Sequence, residues 1–81
     1  MRLVYTKTAL EALNKMPARI RKAFYKQGGF LLQDLHHPSL RAKKYSEADD
    51  KWQARVNKNW RFYFKIVNDA YVIEDVTPHP K

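Results

Sequence analysis

From Trp60 to Ile66 apolar and polar positions alternate without a break. Trp60, Phe62, Phe64 and Ile66 fall on one side of an extended chain, and Arg61, Tyr63 and Lys65 on the other. The first set predicts a core-facing strand surface, the second a basic surface open to an anionic partner. Shorter runs on either side extend the pattern. Trp52, Ala54 and Val56 alternate with Gln53 and Arg55, and Asn57-Lys58-Asn59 reads as a turn. Trp60 to Val67 is the longest strand, and Asn68-Asp69 turns the chain into another from Tyr71 to Val76.

The N-terminal half is spaced differently. Leu3-Val4-Tyr5 is a short apolar run that suits a strand. Thr8-Ala9-Leu10-Glu11 has the spacing of a capping box, in which hydroxyl and carboxylate satisfy backbone N–H groups at a helix start. Leu10, Leu13 and Met16 then share a face, and Pro17 stops this helix while suiting the first turn of the next. Ile20, Phe24, Gly28, Leu31 and Leu35 recur at three- and four-residue steps, predicting a second helix from about Ala18 to Leu35. Gly28-Gly29 inside it costs about 1 kcal/mol per glycine relative to alanine. Either Gly28 permits a close approach to the sheet or the first helix, or the pair breaks the helix; one helix, kinked there at most, is the expectation. His36-His37-Pro38 ends it.

Residues 39 to 51 are polar, with Arg41-Ala42-Lys43-Lys44 followed by Glu47-Ala48-Asp49-Asp50, and read as a loop with room for a short strand at Lys43 to Tyr45. The resulting order is β-α-α-β-β-β. It predicts one α+β domain over residues 1 to 81, an antiparallel sheet with two N-terminal helices on one face and the polar face open.

Size and composition narrow the function. At 81 residues the core suffices for folding but leaves no room for an interior cofactor cavity. There is no cysteine, which removes disulfide and thiolate chemistry and fits a reducing compartment. No apolar run approaches the ~20 residues that span a bilayer, and the polar Met1-Arg2 start is unlike a signal peptide. A cytoplasmic protein is therefore expected. The net charge is +8, from 16 Lys and Arg against 8 Asp and Glu, which favours nucleic acid or an acidic protein as partner. The basic residues are not gathered on one helix face, so a membrane surface is disfavoured.

Arg55 and Arg61 share outward parity on neighbouring strands and can point into one shallow groove, flanked by Lys58 and Lys65 and accompanied by Tyr63. A guanidinium makes bidentate contacts to phosphate and keeps its charge, although outward arginines on a solvated sheet face are also ordinary. His79, in Thr77-Pro78-His79-Pro80-Lys81, is held between prolines and can exchange protons near neutrality. His36 and His37 read as a helix terminus or as peripheral RNA contacts. No metal site is legible, and Gly28-Gly29 lacks the context of a phosphate loop. Arg, Lys and His without metal suit one reaction well. In RNA the 2′-hydroxyl can attack the adjacent phosphate if its proton is taken, the extra charge on phosphorus is steadied and the leaving 5′-oxygen is protonated.

The segment Arg55-Val56-Asn57-Lys58-Asn59-Trp60-Arg61-Phe62-Tyr63-Phe64 resembles the paired-strand pattern of the RelE/ParE superfamily of small bacterial toxins. His37-Pro38-Ser39-Leu40-Arg41-Ala42-Lys43-Lys44 is similar to that superfamily's helix-to-sheet connection, and a histidine near the end is shared with its HigB, YoeB and YafQ branches. The resemblance implies a metal-independent endoribonuclease that cleaves mRNA on the ribosome, needs no cofactor and is silenced by an acidic antitoxin protein. It implies that Arg61 stabilises the transition state, that Arg55 assists and that His79 transfers a proton. Lys43 and Lys44 match the stretch that binds RNA or ribosome, and Lys58, Tyr63, Lys65 and Lys81 join them as binding residues. Two departures stand out. Gln53 occupies the place of the RelE branch's catalytic lysine, and no tyrosine follows His79, which leaves Glu47 or Asp50 as candidate bases. The alternatives are a ParE-like protein that inhibits DNA gyrase by binding it, and a basic nucleic-acid-binding domain without catalysis.

Overall fold

The computed structural model describes residues 1–79. Its elements are β1 (Arg2–Tyr5), α1 (Lys7–Lys15), α2 (Ala18–Gln33), β2 (Lys43–Ser46), β3 (Lys51–Arg55), β4 (Trp60–Val67) and β5 (Ala70–Pro78). The five strands form one sheet in the order β1-β5-β4-β3-β2. Strands β2 to β5 pair antiparallel, while β1 runs parallel to β5 with Arg2 opposite Ala70 and Tyr5 opposite Ile73. The sheet is thus mixed where a wholly antiparallel one was expected. The loop after α2 also yields a full edge strand, β2, longer by one residue than the space expected for it.

The parity of the long strand holds. Phe62 and Phe64 are fully buried, with Trp60 and Ile66 packed at the margins of the same core. Phe24 of α2 meets Phe62 edge-on at 5.2 Å, and Trp52 of β3 stacks on Phe64 at 6.2 Å. Ala9, Leu13, Ile20 and Leu31 complete the helical side of this core, so both helices cover one sheet face. On α1 the expected face is rotated: Leu13 and Met16 are buried, but Leu10 is 48% exposed and Ala9 takes its place.

That rotation follows from where the helix begins. Thr6, still extended at φ −74° and ψ 165°, is the N-cap, and its Oγ1 accepts from the Ala9 amide at 3.1 Å. The capping box expected at Thr8 and Glu11 does not form, because Thr8 already lies in the first turn. Thr6 Oγ1 also donates to the Glu74 carbonyl at 2.9 Å and ties the helix start to β5.

Helix α2 passes through Gly28-Gly29 unbroken and ends at Gln33, two residues earlier than expected. Asp34 explains the end: its carboxylate accepts from the His36 amide and its carbonyl from the His37 amide, folding the chain into a turn. A Cβ on Gly28 would stand 3.1 Å from Leu3 Cδ1, so this glycine brings the helix against β1. Gly29 faces open space. Gly29→Ala is therefore expected to stabilise the protein by roughly 1 kcal/mol through helix propensity, with Gly28→Ala gaining less; urea denaturation of the two variants checks this.

Candidate active site

The face of the sheet away from the helices is built by the same parity that builds the core. Arg55 and Arg61 are direct cross-strand partners on β3 and β4, Gln53 stands opposite Tyr63, and Lys43 on β2 stands opposite Gln53. Two cations placed opposite each other repel. The turn between the strands offsets this: the Asn57 carbonyl accepts from Arg55 Nε at 3.2 Å and from Arg61 Nη1 at 2.8 Å. Arg61 Nη1 also donates to the Trp60 carbonyl at 2.9 Å. The turn is itself fastened by the Asn57 side chain, whose Oδ1 accepts from the amides of Asn59 and Trp60 at 2.8 and 3.0 Å. One asparagine thus aims both arginines.

A third arginine joins them from outside the sheet. The buried Leu40 accepts a hydrogen bond from the Arg55 amide at 2.8 Å, which lays the α2–β2 connection along the end of β3. Arg41 follows in the left-handed region at φ 47°, a conformation that costs a non-glycine residue about 1–2 kcal/mol. Its side chain enters the same cleft. Burial, then the neighbouring charge of Arg55, with Arg41 adding to it, push the Arg61 guanidinium below its ordinary pKa, while Tyr63 acts in the opposite sense. Arginine stays charged under such pressure, so the cluster lowers its energy by binding an anion.

His79 closes the cleft. Strand β5 runs to Pro78, opposite Trp60, and the His79 amide donates to the Asn59 carbonyl at 2.7 Å. The cleft, of about 250 Å³, is lined by Arg41, Lys43, Gln53, Ala54, Arg55, Arg61 and His79. Arg55, Arg61, His79 and Lys43 are thus brought together, and Gln53, the departure from the RelE pattern, lies among them. Arg41 is the charged lining residue that the sequence reading did not single out.

The other candidates sit elsewhere. Lys44 points to the helix side of the sheet, with Nζ 5.1 Å from the Trp52 ring and 2.7 Å from Asp50. Its hydrogen bond to Asp50 holds its pKa above the ordinary lysine value. Glu47, 3.9 Å from the same ammonium, and Asp50 are therefore spent on Lys44, and neither lines the cleft. Lys65 lies 3.9 Å from Glu74, which also pairs with Lys51 at 3.4 Å. Tyr63 meets Tyr45 edge-on at 5.0 Å, farther along the open face. Lys58 is exposed in the turn beside the cleft. Lys81 lies outside the described residues. His37 stacks on Phe30 at 4.0 Å and accepts from the Ser39 amide, which assigns it to shaping the connection.

Among the described residues no group of three or more His, Asp or Glu side chains could hold a metal ion, and no helix is long and apolar enough to cross a membrane.

Fold and site together define a small α+β protein with a cation-lined cleft at one end of its open sheet face. Solved structures match this architecture over nearly its whole length. A YoeB/ParE toxin from Agrobacterium tumefaciens superimposes with a TM-score of 0.82 at 13% identity, covering 99% of this chain and 100% of that one. The archaeal RelE-RelB complex from Pyrococcus horikoshii OT3 gives 0.78 at 17% identity, with 95% and 92% covered. The toxin-antitoxin complex RelBE2 from Mycobacterium tuberculosis gives 0.75 at 23% identity, with 96% of each covered. No protein-family model and no curated relative matches the sequence. The chain has the RelE/ParE toxin fold, as the sequence resemblance implied.

Proposed function

We propose that this protein is the toxin of a type II toxin–antitoxin pair and a member of the RelE/ParE superfamily. In this reading it is a cytoplasmic, metal-independent endoribonuclease that cleaves mRNA on the ribosome and so inhibits translation. The observation that carries the reading is the convergence of Arg55, Arg61 and His79 in one cleft with two further cations. A phosphodiester seated there has its non-bridging oxygens against Arg61 and Arg55. As the 2′-oxygen bonds to phosphorus, the added negative charge falls where guanidinium donors already stand. The bond from phosphorus to the 5′-oxygen then breaks, and a His79 imidazolium supplies the proton that the leaving oxygen takes, leaving a cyclic 2′,3′-phosphate.

Among the described residues no carboxylate lines the cleft, so the 2′-hydroxyl proton passes to water or to a group the ribosome brings. This incomplete set of groups in an open cleft is why the ribosome is required, since it holds the message in an attack geometry that the protein alone leaves loose. The +8 charge favours an acidic antitoxin, and structural neighbours solved with RelB or YefM support a partner of that kind. Mapping 5′ ends on ribosome-bound and free mRNA, with a chelator present, tests the reading. Cuts are expected on ribosome-bound message only. Equal cutting of free RNA would remove the ribosome from the mechanism, and no cutting with DNA gyrase inhibited would replace it by the ParE-like alternative.

A further inference from the structure

A second cleft, of about 410 Å³, shares Arg41 and Arg55 with the candidate active site. Its remaining lining is Gln27, Pro38, Ser39, Val56, Asn57 and Lys58. The floor is fixed by Gln27, a buried amide on the apolar face of α2. Its Nε2 donates to the carbonyls of Ser39 at 3.0 Å and Arg55 at 2.7 Å, and its Oε1 accepts from Ser39 Oγ at 2.9 Å. Helix, connection and strand are thereby clamped around one side chain. With both amide donors and its oxygen engaged, Gln27 builds the cleft and leaves recognition to the rim.

That rim is cationic. Arg41, Arg55 and Lys58 line it, no carboxylate among the described residues does, and Pro38 adds an apolar surface. Arg55 spends only Nε on the Asn57 carbonyl among the described residues, so its fork can serve an anion in either cleft. Two open clefts divided by a wall of two arginines suit a flexible polyanion whose neighbouring phosphates settle on either side of the wall.

We infer that the second cleft takes the nucleotide adjoining the one held against Arg55 and Arg61, its phosphate bound by Arg41, Arg55 and Lys58. The substrate is then a single-stranded RNA gripped over at least two successive phosphates. A sugar or base resting on Pro38 is sequence-tolerant, as apolar platforms for single strands are. The inference rests on the ribonuclease reading and adds to it a second subsite and a minimum substrate length.

The test uses fluorescent RNA oligonucleotides, 2′-O-methylated throughout so that none can be cleaved, from a dinucleoside monophosphate upward in single-phosphate steps, extended at either end. Binding to wild type, Lys58→Ala and Arg61→Ala is followed by anisotropy over a range of salt. For wild type, affinity is expected to rise sharply from one phosphate to two. Lys58→Ala, a change in an exposed turn, should remove most of that step and leave the one-phosphate ligand unchanged. It should also lower the slope of log affinity against log salt by about 0.7–1 for longer ligands. Arg61→Ala should weaken every length. If Lys58→Ala weakens all lengths equally or none, while Arg61→Ala still weakens binding, the second subsite is overturned and the ribonuclease reading stands. If nothing binds, or Arg61→Ala changes no affinity, the second subsite is overturned, and the ribonuclease reading falls with it only if ribosome-bound mRNA is also left uncut.

Discussion

Replacing Arg61 by alanine is expected to lower cleavage of ribosome-bound mRNA by about 10²-fold or more, the usual scale for losing one preorganised electrostatic stabiliser of a transition state. The fold should survive. Arg61 is half-buried on the open face, and the core beneath it rests on Phe62 and Phe64, which the substitution leaves in place. Removing the charge also relieves repulsion with Arg55, its direct cross-strand partner. Thermal stability is thus expected to hold or rise while activity collapses. Arg61→Lys should restore only part of the rate, because an ammonium presents a point charge where the reaction uses a planar fork. Single-turnover cleavage and a melting curve on the same preparations decide it. Wild-type cleavage by Arg61→Ala would return this residue to the status of a solvated strand arginine.

The placement of Arg55 and Arg61 was legible because strand parity is enforced by the core. Phe62 and Phe64 can only point inward, so their neighbours point out, and the short connection over residues 56–59 carries the same rule back to β3. The same logic weakens where the period breaks. Ile73 and Val76 are both buried though three residues apart, and the bulge between them shifts the β4–β5 register at Tyr63 and Phe64. The odd spacing of those two apolar residues was the available signal. Glu74 and Asp75 are the two residues between them.

Arg41 left no such signal. It belongs to neither helix nor strand, and its position depends on a positive φ at a residue type that rarely adopts one. What brings it to the cleft is a backbone bond from Arg55 to Leu40, a contact between segments that no local pattern couples. Gln27 was nearer to being readable. It lies three residues after Phe24 on the face that Ile20, Phe24 and Leu31 bury, and a polar residue on a buried stripe must find partners there. The direction of β1 was beyond reach for another reason. Three apolar residues carry no information about whether their neighbour runs parallel, and the pairing with β5 is set by how two helices return the chain across the sheet.

His79 separates catalysis from binding most sharply, because the cleft keeps only three of its four Lys and Arg charges when one of those groups is removed, and all four when the imidazole alone is removed. Arg41, Lys43, Arg55 and Arg61 remain to hold the phosphate in His79→Ala. Affinity for ribosome and message is therefore expected to stay nearly constant, while single-turnover cleavage falls by about 10²-fold or more, as for loss of a general acid. A second readout distinguishes an acid from a merely structural ring. If the ring's proton goes to the leaving 5′-oxygen, the wild-type pH–rate profile should carry a limb falling toward high pH that is missing in His79→Ala. The backbone anchor from the His79 amide to Asn59 does not involve the ring, so the tail has no reason to leave the cleft in the variant. Equal losses of binding and cleavage would make His79 a contact that holds RNA, and an unchanged pH profile would exclude it as the acid.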